Sequence, residues 1–132
     1  MDDELPGAAA AMAEAFVAAL QNLEGLNGAY SPQPVQAAFP YAVVDAGIES
    51  DWSHKSGDGR EVRIAVTIHD EGEHPARPTR LAQTVETAVR AIPNDLPGWQ
   101  LVNLVFLRSR TVRGAGPRWT AAIDYRARLL RK

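Results

Sequence analysis

Between Phe39 and Asp70 the chain reads FPYAVVDAGIESDWSHKSGDGREVRIAVTIHD, two alternating runs around a tip rich in Gly, Ser and Asp. In the second run Val62, Ile64, Val66 and Ile68 point one way and Arg63, Thr67 and His69 the other. This is the period-two signature of a strand with one wet face. In the first run Ala42, Val44, Ala46 and Ile48 share a face, with Asp45, Glu49 and Asp51 opposite. Gly57-Asp58-Gly59 supplies a permissive backbone for the reversal, with positive φ expected at Gly57 or Gly59. The stretch predicts a long β-hairpin whose strands, at ~3.3 Å per residue, reach about 30 Å each. That is longer than a small core needs, so the far end is expected to project.

The flanking segments alternate between helical and strand periods. Met12, Phe16, Leu20 and Leu23 fall at i, i+4, i+8 and i+11 and predict a helix over 6–24, which the alanine-rich run from Ala8 favours further. Gly25 is placed to cap it. Residues 27–40 carry three prolines and no clear period, an ordered connector that Tyr30 and Phe39 are expected to pin. After the hairpin Leu81, Val85, Val89 and Ile92 repeat at helical spacing over 76–92, and Pro93 stops the helix. A third strand over 99–111 is almost continuously apolar from Leu101 to Leu107, as expected if it is buried on both faces or bulged. In the last strand, 119–130, Trp119, Ala121, Ile123, Tyr125, Ala127 and Leu129 alternate with Thr120, Asp124, Arg126 and Arg128. The order α-β-β-α-β-β predicts a single α+β domain. Its sheet is expected to have four mostly antiparallel strands, with both helices on one face and long projecting hairpins.

Composition removes several classes of function. The 132 residues hold 14 basic and 16 acidic side chains, a net charge of -2, which disfavours a dedicated nucleic-acid binder. There is no cysteine, hence no disulfide framework, thiolate metal site or cysteine nucleophile. No apolar run approaches the roughly 20 residues that span a bilayer, so no membrane partner is expected. The acidic start MDDELPG lacks the basic region of a signal peptide, which points to synthesis in the cytoplasm.

The remaining candidates for chemistry are weak. His69-Asp70-Glu71-Gly72-Glu73-His74 gathers metal-type side chains, but at no helical ligand spacing, and reads as a solvated acidic loop. Ser53-His54-Lys55 beside Asp51 imitates a catalytic set, yet neighbours on a strand point to opposite faces. The Gly57/Gly59 and Gly114/Gly116 pairs do not lead from a strand into a helix, as a phosphate loop requires. No catalytic residue, metal or cofactor is expected. What stands out is the tip itself. Asp51, Trp52, His54, Lys55, Asp58 and Arg60 mix both charges with one large aromatic, a composition suited to contacts with another subunit. Basic residues collect on the second hairpin, at Arg108, Arg110, Arg113, Arg118, Arg126 and Arg128, which suits a negatively charged neighbour or passing DNA and equally a plain solvated strand face.

Pro40-Tyr41, the Lys55-Ser56-Gly57-Asp58-Gly59 tip followed by Glu61-Val62-Arg63, LPGWQLVNLVFLRSR and a final strand ending in YRARL carry a resemblance. Together with the Tyr30-x-Pro32 connector they resemble the tail-completion, or tail terminator, proteins of long-tailed bacteriophages and of gene transfer agents. His69-Asp70 and the acid-free turn at 114–118 depart from that pattern. The resemblance implies a structural virion protein, made in the bacterial cytoplasm. It implies a ring, expected to be hexameric, at the head-proximal end of the tail tube. Such a ring stops tube polymerisation, joins the tube protein to the head connector, and lets DNA pass without sequence-specific contacts. The alternatives are another ring-forming head-tail adaptor, a minor tail protein, or a small metal- or ligand-binding enzyme using residues 69–74.

Overall fold

The computed structural model describes residues 5–32, 34 and 36–132. The acidic start at 1–4, and Gln33 and Val35 of the connector, lie outside the described residues. Along the chain the elements are α1 (Ala8–Leu20), β1 (Ala29–Tyr30), β2 (Tyr41–Asp51), β3 (Gly59–Glu71), α2 (Ala76–Arg90), β4 (Asp95–Leu96), β5 (Trp99–Arg113) and β6 (Arg118–Arg131). The class is α+β, but the sheet has six strands rather than four, in the order β1-β2-β3-β6-β5-β4. It is mixed, because β1 runs parallel to β2 while every other pair is antiparallel. The two added strands are two residues long, too short for any periodicity to announce them. The second hairpin, β5–β6, lies against the first through β3 and β6, which pair along their whole length from Gly59↔Leu130 to Glu71↔Arg118.

Both helices cover one face. Met12, Phe16 and Leu20 of α1 and Leu81, Val85 and Val89 of α2 are buried against Val62, Ile64, Val66 and Ile68 of β3 and Ala121, Ile123, Ala127 and Leu129 of β6. The alternation of β3 and β6 is thus explained: each inward residue removes apolar area from water, at ~25 cal/mol per Å². Helix α1 ends a turn earlier than expected, at Leu20, and the chain descends through tight turns to Gly25, whose φ of 98° is the left-handed region.

Two expectations about the first hairpin are corrected. A bulge between Asp45 and Ile48 flips the alternation of β2. Ile48 is therefore turned away from the helices and 67% exposed, while Glu49 and Asp51 come to the helix side. The hairpin also does not project far, because β6 accompanies β3 along its full length and Arg131 N donates to Asp58 O at 2.8 Å. Only the turn at 52–58 extends past the paired strands. Strand β5 is bulged, twice, between Leu101 and Asn103 and between Phe106 and Arg108, rather than buried on both faces.

Tyr125 lies in the core, edge-on to Phe16 at 5.3 Å, and its hydroxyl has no hydrogen-bond partner among the described residues. Burial first, and then Glu86, push its phenol above the ordinary value near 10, against Arg90. A raised pKa on a group that ionises to an anion leaves stability complete below the unfolded value and erodes it above, since only the unfolded chain releases the proton. Stability should therefore fall above about pH 10 by up to ~1.4 kcal/mol per pH unit from this group. Urea unfolding at pH 9 and pH 11 should show Tyr125→Phe losing less than the parent; equal losses would contradict this.

Candidate subunit interface

The tip is built as a continuation of the β2–β3 ladder. Asp51 faces Arg60, Trp52 N donates to Gly59 O at 2.9 Å, and His54 bridges Gly57, leaving Lys55-Ser56 as the loop. Contrary to expectation neither Gly57 nor Gly59 has positive φ. Gly59 is needed for space instead: a Cβ there would stand 2.3 Å from Trp52 O and 3.1 Å from Leu129 O. Gly57 would meet nothing within 4 Å.

The structure sorts the six candidate residues into three places. Asp51 and Arg60 form a cluster with Glu49, Arg60 Nε lying 3.1 Å from Glu49 Oε2 and Arg60 Nη1 3.4 Å from Asp51 Oδ1. Glu49 in turn accepts from Ala9 N at 3.2 Å, tying the hairpin to the first turn of α1, where a carboxylate is favoured. The Ser53 hydroxyl, donating at 2.6 Å, and to a lesser degree Arg60 hold the Asp51 carboxyl below its usual range. Trp52 and His54 sit edge to face at 4.5 Å, with the Arg128 guanidinium 5.5 Å over the Trp52 ring. Asp58 lies 3.9 Å from Arg131, and Lys55 is exposed, paired with no carboxylate among the described residues.

Sequence reasoning missed Glu49, Ser53, Arg128 and Arg131 as partners of the tip. The first was placed on the wrong face by the bulge, and the last two are distant in the chain. It also missed a second surface. Of the large apolar side chains left exposed among the described residues, Ile48 lies on β2 and Val102, Phe106, Leu107 and Val112 lie on β5, leaving only Leu5 elsewhere. The run Leu101–Leu107 was the visible signal, although it had suggested burial on both faces or a bulge.

None of this is catalytic geometry. Ser53 Oγ donates to Asp51 and accepts from Gly59 N at 3.1 Å, and His54 packs edge to face with Trp52. The 69–74 run is split by strand alternation. His69 stacks on Tyr41 at 4.9 Å, its pKa lowered by burial and then by Arg118, while Asp70 turns inward to Arg77. Among the described residues no three His, Cys, Asp or Glu side chains come together as metal ligands would. The same residues include no helix long and apolar enough to cross a membrane.

The model of the family "Tail completion protein gp17" matches residues 8–130. No individually curated protein sequence matches the chain. Among solved structures, a chain of the "Virion of native gene transfer agent (GTA) particle" is similar at 20% identity, with a TM-score of 0.62, over 93% of this chain and 94% of that one. At that identity the likeness shows a shared fold. Both hairpins and both helices fall inside the matched span, and the chain belongs to the tail completion protein gp17 family, whose members are structural parts of the virion tail and not enzymes.

Proposed function

We propose that the protein forms a ring, of six copies, at the head-proximal end of the tail tube, where it ends tube growth and offers the head connector a docking surface. The observation that carries this is the placement of the exposed apolar residues on two opposite outer strands, Ile48 on one side and Val102, Phe106, Leu107 and Val112 on the other. Ile48 and Leu107 border one groove, but the strands they belong to lie toward opposite ends of the sheet order, and two unlike edges suit head-to-tail contacts, which close into a ring, better than the single self-matching patch of a twofold dimer. Growth stops because one face of the ring copies a tube subunit's contacts and the other does not. DNA passes through without sequence-specific contact, in keeping with the net charge of -2.

Within this reading the tip residues Asp51, Trp52, His54, Lys55, Asp58 and Arg60 touch a neighbouring subunit or the tube. Ser50 faces Glu61, so replacing Asp51–Arg60 by Asn-Gly keeps the strand register and closes the hairpin with a favoured turn. The expected product is a folded, soluble monomer that no longer forms rings, and particles with tails of uncontrolled length. Native mass measurement and electron microscopy of the particles test both parts. Normal rings and normal tails from the shortened protein would remove the tip from the interface.

A further inference from the structure

Positions can be followed across the sheet from one edge to the other. Asp45 faces Ala65, Ala65 faces Asp124, and Asp124 faces Arg108. Ile48 leads in the same way through Arg63 and Arg126 to Val105. Both outer strands are open beyond their short partners. β1 covers β2 only at Ala42 and Val43, and β4 covers β5 only at its start, up to a bond from Leu101 N to Asn94 O. Among the described residues no other strand lies outside Val44–Asp51 of β2 or Val102–Arg113 of β5. The N–H and C=O groups on such edges are met by water or by another strand.

The defences that these edges carry, charges and a bulge each, are complementary between the two strands. Neither open stretch holds a lysine or a proline. The β2 stretch carries Asp45, Glu49 and Asp51 and no base, and the β5 stretch carries Arg108, Arg110 and Arg113 and no acid. Each strand has a bulge at the same height, between Asp45 and Ile48 and between Phe106 and Arg108. Pairing β5 with β5, or β2 with β2, sets like charges against each other. Pairing β5 with β2 sets opposite charges together and brings the apolar residues of both edges side by side. Arg108 already bonds Asp124 at 2.7 Å, yet its side chain is 80% exposed and its guanidinium has donors to spare.

We propose that the open edge of β5 receives the open edge of β2 of a second copy, so that the sheet runs on from subunit to subunit. The two strands are antiparallel within the subunit's own sheet order, and copies related by rotation present them antiparallel as well. Rotation about an axis along the strands sets equal heights opposite each other. Arg108 then faces the neighbouring copy's Asp45, and Val105 faces its Ile48. A slip in register tilts the strands against the ring axis and changes how the sheet closes, so the matched bulges and the Asp45–Arg108 charge pair act to fix one closure.

This pairing rests on the ring reading above, and the test separates the two. The chain has no cysteine, so Asp45→Cys combined with Arg108→Cys gives one reactive pair per predicted contact. Mild oxidation, or a short bis-maleimide, applied to the assembled protein should give a ladder of covalent multimers ending at the copy number of the ring. Each single variant should give dimers at most. So should Asp45→Cys with Val112→Cys, a pair at different heights. Circular dichroism and native mass check that the variants fold and assemble. Rings by mass with no ladder would overturn the edge pairing and leave the ring standing. A monomer both in concentrated solution and on tails would overturn the ring, and this pairing with it.

Discussion

Trp99→Ala is expected to lower stability by about 3–5 kcal/mol, the range for emptying a large aromatic from a core. Trp99 is 1% exposed, and three separate parts of the chain meet on it. Its indole Nε1 donates to Pro6 O at 3.0 Å, holding the segment that leads into α1. The Arg131 guanidinium at the end of β6 lies 4.5 Å from its ring centroid. Its own backbone, facing Leu96 and Arg131, opens β5. Truncation thus leaves a cavity and also frees the amino-terminal segment and the last residues of β6. In a domain of this size the midpoint of thermal unfolding should drop by roughly 10–20 °C. Trp99→Phe should fall between, since it keeps one aromatic ring and part of the volume but not the donor. A loss below about 1 kcal/mol for the alanine variant would mean the site collapses freely and joins nothing.

Arg77→Met should cost about 2–3 kcal/mol, less than a fully buried ion pair because the arginine side chain is 52% exposed. Its partner Asp70 is 1% exposed, the one buried charged residue among those described. Arg77 grips it with two bonds, Nε to Oδ2 at 2.8 Å and Nη2 to Oδ1 at 2.5 Å, and Glu71 N adds a third at 2.8 Å. Removing the guanidinium strands a carboxylate at the place where β3 hands the chain to α2. The loss is caused by the abandoned charge, so Asp70→Leu combined with Arg77→Met should recover most of the stability. Chemical denaturation of the two singles and the double settles the matter. An Arg77→Met variant as stable as its parent would show that water, not the arginine, satisfies Asp70.

Much of the architecture is legible in local pattern. Val62 to Ile68 and Trp119 to Leu129 alternate because each strand has one face on the helices, and that constraint acts residue by residue. Met12, Phe16 and Leu20, with Leu81, Val85 and Val89, mark the helical faces for the same reason. The four long strands, both helices and their common face follow from these periods, and the residues of the tip follow from its composition.

What the sequence could not decide are matters of partnership between distant segments. The bulge that sends Ile48 outward and Glu49 to α1 depends on how β2 registers with β3, and no alternation inside β2 records it. The pairing of β3 with β6 sets the strand order, keeps the first hairpin from projecting and brings Arg128 and Arg131 to the tip, 67 and more positions away in the chain from Glu61 and Asp58. β1 and β4, two residues each, exist only because neighbouring backbone offers them bonds. The apolar run Leu101–Leu107 shows the limit most clearly. By itself it allows burial on both faces or a bulge, and only the register with β6 shows the two bulges, with Leu101 in the core and Val102, Phe106 and Leu107 exposed. Periodicity reports how a residue faces its own neighbours, whereas register and edge position are set by which backbone groups find partners across the whole fold.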